Sequence, residues 1–180
     1  VNIYECQPSF EDDRPQIDFD LAENRINDWL TVGEVIDGNR PVSEFPKVSI
    51  RVIHQDAIIW DCYMDGGVRG LFSQRFVHVV GMDAFNGLKL LPAKLNGAIY
   101  YFICCADPVN CLDRSRSKYE TFRSDQTAIK RITHFAFKEQ LLPKDGCFCI
   151  PETTALLLTE SVVNRLKSAN LRGLHIVRLP

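Results

Sequence analysis

No stretch of this sequence is apolar for long enough to enter a bilayer as a helix. The longest apolar runs, such as Ala98–Ala106, fall far short of the about 20 residues a spanning helix needs. Charge of one sign is scarce as well: the net charge is −2, so no whole-molecule field draws the chain toward nucleic acid or an anionic membrane. The seven cysteines are odd in number and contain no Cys-x-x-Cys pair, which argues against a disulfide framework and against a zinc knuckle. Also missing are Gly-x-Ser-x-Gly, His-Glu-x-x-His, a phosphate-binding glycine loop and a dinucleotide fingerprint. The opening VNIYECQPSF has no basic segment ahead of an apolar core, so a secretory leader is not expected. Together these absences predict a cytoplasmic protein with buried, reduced thiols and neither membrane nor nucleic-acid partners.

What is present is an ordinary globular composition. Hydrophobic residues make up 46% of 180 residues, enough to bury a core without staples, and the length fits one domain over residues 1–180. The organising feature is a stretch that occurs twice. LFSQRFVHVVGMDAFNGLKLLP begins at Leu71, and LLTESVVNRLKSANLRGLHIVRLP begins at Leu157. Ser73 aligns with Thr159, and Gly87 with Gly173, fourteen positions on in each copy. Between them Phe76–Val77 matches Val162–Val163, Val80 matches Leu166, and Phe85 matches Leu171; Leu88 and Leu90 then match Leu174 and Ile176. Each copy (71–95 and 157–180) reads as a helix, a turn and a strand. Ser73 and Thr159 are expected as N-caps, and Gly173 as a helix stop. The first helix is predicted over Gln74 to about Asp83, the second over Glu160 to about Asn170.

The other local signals point to strands. Asn96-Gly97 predicts a type I′ hairpin between Leu88–Leu95 and Ala98–Cys105. Val48–Ile53 and Ala57–Met64 read as strands, with Trp60 a core aromatic and Asp65-Gly66-Gly67 a turn; Cys147–Ile150 is a short strand. Thr127–Lys138 is ambiguous, and its aromatic and β-branched residues favour strand. Asn2–Cys6 reads as a short strand, and the rest of residues 1–47 as a loop-rich, acidic segment, with Phe19, Leu21, Ile26, Trp29 and Leu30 available to pin it. The predicted class is α+β: a mixed or antiparallel sheet with packed helices, built around the duplicated unit.

Charge is unevenly placed. Residues 1–30 carry Glu5, Glu11, Asp12, Asp13, Asp18, Asp20, Glu23 and Asp28 against Arg14 and Arg25, a net −6, which leaves +4 on the remainder. The basic excess concentrates in Arg114, Arg116, Lys118, Arg123, Lys130, Arg131 and Lys138, a stretch without interleaved exposed aromatics of clear function. Both segments are candidate partner surfaces, with Glu11, Asp12, Asp13, Asp18, Asp20, Arg114, Arg116 and Lys118 the residues of choice. Chemistry is harder to place. Cys147 and Cys149 share a strand face, where His134 or His175 could complete a metal site. Cys104-Cys105 lies in a strand so apolar that one or both thiols are expected to be buried and thereby inert. A Cys–His pair can be drawn with His54, His78, His134 or His175, and a carboxylate pair with Asp107, Asp113 and Glu120, but no local signature selects among them. No catalytic set, cofactor or metal is assigned.

One composite pattern goes further. It runs from the first copy through Tyr100-Tyr101-Phe102-Ile103, Val109-Asn110-Cys111-Leu112-Asp113 and Ser117-Lys118-Tyr119, then through Phe148-x-Ile150-Pro151 into the second copy with Arg172-Gly173-Leu174. This resembles a bacterial immunity-protein family, immunity protein eleven, whose namesake is a Myxococcus immunity domain. The resemblance spans roughly Leu71 to Pro180 and carries no catalytic residues with it. It implies a cytosolic antitoxin that neutralises a cognate toxin by direct stoichiometric binding. The alternatives left open are a small cytosolic hydrolase or transferase using a Cys–His or carboxylate site, and a phage or secretion-system accessory binding module.

Overall fold

In a computed structural model the described residues are 1–8, 17–19, 24, 26–36, 39–52, 60–63, 70–85 and 87–180. They form β1 (Ile3–Pro8), β2 (Ile17–Phe19), α1 (Ile26–Ile36), β3 (Val48–Val52), β4 (Cys62–Tyr63), β5 (Leu71–Ser73) and α2 (Gln74–Val80). Next come β6 (Leu88–Leu95), β7 (Ala98–Cys105), β8 (Lys118–Thr121), β9 (Ile129–His134), β10 (Cys147–Phe148), β11 (Leu156–Thr159), α3 (Glu160–Ser168) and β12 (Leu174–Arg178). The class is α+β with mixed and antiparallel sheets. A four-stranded sheet has the order β10-β11-β1-β12, a six-stranded sheet the order β2-β3-β6-β7-β5-β4, and β8 with β9 forms a separate two-stranded ribbon.

The two matched stretches have the same connection order. β5 leads directly into α2 and returns as β6, with β7 paired antiparallel between them; β11 leads directly into α3 and returns as β12, with β1 between them. In each case the outer strands are parallel to one another, which a helical crossover permits and a tight turn does not. The matched apolar residues of both stretches meet in one core. Phe76, Val77, Val80, Phe85 and Leu88 lie there with Val162, Val163 and Leu166, and Leu90, Leu171, Leu174 and Ile176 pack against it. The likeness is one of connection and burial, because the caps and helix ends differ. Ser73 Oγ accepts from Phe76 N at 3.0 Å, as expected of an N-cap. Thr159 makes no such bond, since its hydroxyl accepts instead from Gly146 N at 3.0 Å. α2 stops at Val80, earlier than its apolar pattern predicts, because Gly81 turns to a φ of 87°.

Gly173 also has a different task from the one its position implies. The left-handed residue beyond α3 is Asn170, with a φ of 48°. Gly173, at a φ of 80°, is pressed against β4: a Cβ there would sit 2.3 Å from the Cys62 carbonyl oxygen and 2.6 Å from a ring carbon of Trp60. This contact joins the second strand–helix–strand to the six-stranded sheet.

A buried carboxylate reinforces that joint. Asp61 Oδ1 accepts from Ser73 Oγ at 2.7 Å, and Oδ2 accepts from Arg172 N at 3.1 Å and Arg75 Nη1 at 3.4 Å. The Arg172 carbonyl accepts from Asp61 N and Cys62 N, and Arg75 Nη2 donates to Ala169 O at 2.6 Å. At the other junction Asp145 holds both Ser161 and Arg165, the latter at 3.0 Å to each nitrogen. The Arg165 guanidinium, then the Ser161 hydroxyl, keep the Asp145 carboxyl below the usual range. Its contribution is therefore present above the pKa of the unfolded carboxylate and lost as pH falls through the folded one.

The other face of the six-stranded sheet carries a second core. The acidic N-terminal region is less loop-like than its sequence implies: β1 is an interior strand, and α1 buries Val32, Val35 and Ile36 against Leu91, Ala93, Tyr100 and Phe102. Leu30, a candidate anchor, points to solvent at 64% exposure. The hairpin matches the sequence residue for residue, with φ of 48° at Asn96 and 82° at Gly97. Asn96 also ties the turn to β3, its Oδ1 accepting from Val52 N at 3.2 Å and its N–H donating to Ile50 O at 3.1 Å. Pro92 is tolerated inside β6 because pairing with β3 covers only Ala93–Leu95, so its missing N–H falls where that edge is open.

Two substitutions test the joint. Asp61→Ala is expected to lower the unfolding free energy by about 3 kcal/mol in urea titration, since it strands a buried hydroxyl and a backbone N–H. Gly173→Ala is expected to cost more than about 2 kcal/mol, and Gly97→Ala, with open space around it, less; equal costs would count against the close contact at β4.

Candidate functional site

The basic stretch is built outward from a third core. Cys111 and Leu112 are buried with Ile3, Phe148, Ile150 and Leu157. The chain then leaves this core as two stitched segments. Leu112 bridges Phe137, Asp113 N donates to Ala136 O at 2.8 Å, and Lys138 N donates to Cys111 O at 2.8 Å. Ser117 Oγ both donates to Ala136 O and accepts from Ala136 N, closing the stem. From this stem β8 and β9 run antiparallel, with Lys118 opposite His134, Tyr119 opposite Ile132 and Glu120 opposite Arg131. The tip is closed by Asp125, whose Oδ1 accepts from Thr127 N at 2.8 Å and Thr127 Oγ1 at 2.6 Å. The Thr127 hydroxyl accordingly holds the Asp125 carboxyl below its ordinary range.

Ile129 and Ile132 turn inward onto the third core, with Phe135 and Phe137 stacked beside them at 5.8 Å. The remaining side chains face water. Lys118, Glu120, Arg123, Lys130 and Arg131 are exposed, and so are two aromatics, Tyr119 at 37% and Phe122 at 46%. The ribbon thus carries two exposed aromatics among its cations.

The basic candidates part company at the stem. Arg114 reaches Glu152, its Nε and Nη2 donating to Oε1 at 3.3 and 3.2 Å. The Glu152 side chain is only 5% exposed, and its Oε2 is buried with no partner among the described residues. Arg116 instead lines a cleft of about 280 Å³ with Asn2, His134, Phe137 and Arg178. Lys118 belongs to the ribbon. Among the acidic candidates, Asp18 lies in β2 opposite Arg51, while Glu11, Asp12, Asp13 and Asp20 lie outside the described residues. Tyr119 enters the sequence reading only as part of the Ser117-Lys118-Tyr119 element, and Phe122 and Glu152 not at all; Glu152 is recognisable only through the fold that brings it to Arg114.

The candidate catalytic residues are spread over separate elements among the described residues. His78, His134 and His175 are exposed on α2, β9 and β12, and His54 lies outside the described residues, as does the Asp65-Gly66-Gly67 turn. The Asp113 carboxylate accepts from the Ser115 hydroxyl, the Asp107 backbone N–H donates to Gly87 O, and Glu120 sits opposite Arg131 across the ribbon. Cys147 and Cys149 are buried, and no group of three His, Cys, Asp or Glu side chains among the described residues is placed to hold a metal ion. Burial pushes the Cys147 thiol up strongly and the Cys111 thiol to about 11. Cys62 is raised by its contact with the Cys6 thiol as well as by burial. No helix among the described residues is long and apolar enough to cross a membrane.

Neither the protein-family models nor the curated proteins compared with the chain give a match. The immunity-family resemblance therefore rests on the sequence elements quoted above.

Six of the seven cysteines are buried, and Cys105 is half-buried. Iodoacetamide at neutral pH is expected to modify Cys105 alone on a timescale of minutes, and all seven cysteines in urea. Rapid native alkylation of Cys147 or Cys104 would reopen a thiol chemistry.

Proposed function

We propose that this chain is a binding protein of the immunity class, neutralising a cognate toxin in the cytoplasm by direct stoichiometric contact, with the β8–β9 ribbon as part of its docking face. The observation that supports this is the ribbon itself. It spends two aromatics and four cations on solvent while its opposite face is anchored to the core. Exposed aromatics of this kind supply the buried anchors of protein interfaces, and charge around them governs the rate of capture. The partner surface is accordingly acidic, with apolar hollows for Tyr119 and Phe122. On the same reading, the acidic segment around Glu11–Asp20 meets a basic patch of the toxin.

Co-expression with toxins encoded beside the gene tests the reading, with growth rescue and co-purification at one-to-one stoichiometry as the expected result. Arg123→Glu with Lys130→Glu is expected to slow association roughly tenfold at low salt and much less at high salt. Tyr119→Ala is expected to weaken the complex by about 1–2 kcal/mol. Rescue without co-purification would point to an enzyme that reverses damage and would overturn direct binding.

A further inference from the structure

Among the described residues, one face of the six-stranded sheet is only partly covered by its helix. Along β6 the side chains alternate. Leu91, Ala93 and Leu95 enter the core under α1, while Leu88, Leu90, Pro92 and Lys94 point to the other side. On that other side α2 and its neighbours cover Leu88, Leu90, Ile103 and Cys105. But α2 has seven residues and is about 10 Å long. The eight-residue strands β6 and β7 each run about 27 Å. The far half of this face therefore lies beyond the helix.

There the described residues form a groove of about 510 Å³ across β3, β6 and β7. Its apolar surface comes from Pro92, Ile99 and Tyr101, with Val48 and Ala93 beneath; Ile99 is 46% exposed. Pro92 pairs with Tyr101 and Lys94 with Ile99, so these four side chains sit as two adjacent rows. The charged residues on the lining are Lys47 and Lys94, both exposed, and none of the described lining residues is acidic. The strands beneath the groove are already paired with their neighbours, so a guest cannot add as another strand and must be held by its apolar body and its charge.

A volume of this size lies in the range of small-molecule sites, about 300–1,000 Å³. Apolar walls with a rim of one sign select a guest that is apolar along its length and oppositely charged at one end. We propose that this groove binds a small amphiphilic carboxylate, its hydrocarbon body lying on Ile99, Pro92 and Tyr101 and its carboxylate between Lys47 and Lys94. This site is separate from the ribbon and does not depend on the toxin-binding reading.

Dodecanoate, used below its micelle concentration, is the probe. The expected result is saturable one-to-one binding, with amide shifts in the ¹⁵N spectrum at Ala93, Ile99 and Tyr101. Lys47→Glu with Lys94→Glu is expected to weaken it about tenfold or more while circular dichroism stays native, since both side chains are exposed; the arginine pair should retain it. Dodecyltrimethylammonium, with the same chain and the opposite charge, should not compete. Equal binding of the two amphiphiles, or no saturable binding of dodecanoate, overturns the proposal. So does a dimer in solution that Ile99→Asp converts to monomer, because the face would then be an interface between copies of the chain.

Discussion

The Asp61 carboxylate is the point at which the two halves of this molecule are held in register. It is buried, and a buried carboxylate is costly to desolvate unless every lone pair has work. Here one oxygen takes the Ser73 hydroxyl and the other takes a backbone N–H and an arginine nitrogen. Those partners come from the start of α2 and from the turn before β12, so one side chain fixes the first helix and orients the return of the second. The backbone around it does the same: Asp61 and Cys62 donate to Arg172, and Gly173 can lie against Cys62 only because it has no side chain. Removing either element would leave the large shared core between α2 and α3 without a defined angle of approach.

Legibility in the sequence followed the range of the interactions. The β6–β7 hairpin was readable to the residue because Asn96 and Gly97 accept positive φ locally, whatever the rest of the chain does. The buried stripes of α2 and α3 were readable because helical spacing is local too. α1 was missed although Val32, Val35 and Ile36 have helical spacing, because Gly33 in their midst speaks for a turn; tertiary burial against β6 and β7 overrides it. Thr159 looked like a cap, yet its hydroxyl is claimed by Gly146, a contact that exists only once β10 and β11 have paired. The matched spacing marked the buried positions of both stretches but not the roles of their glycines, which are set by what lies across from them.

The same distinction separates the surfaces. Basic residues are visible in any sequence, but whether neighbouring aromatics face water or core is decided by which side of a ribbon meets the body. In β8–β9 the isoleucines take the inner side, which leaves Tyr119 and Phe122 outside. Arg114 carries as much charge on paper as Lys118, but Glu152 already engages it. Charge counts alone therefore overstate Arg114 as a contact for a partner and pass over the groove beside Lys94, whose character comes from the reach of a short helix.

The place of β1 carries a consequence for how the protein is made. β1 pairs on one side with Leu156–Thr159 and on the other with Leu174–Arg178, so the interior strand of this sheet is contributed from the far end of the chain. During synthesis, Ile3–Pro8 leaves the ribosome long before either neighbour exists. Its buried residues Ile3 and Cys6 stay unsheltered until about 170 further residues have followed. The β6–β7 hairpin can form as soon as it emerges, whereas the four-stranded sheet has to close a loop almost as long as the whole chain. Contacts of such long sequence separation form more slowly than local ones, so the hairpin is expected to precede the closing of this sheet.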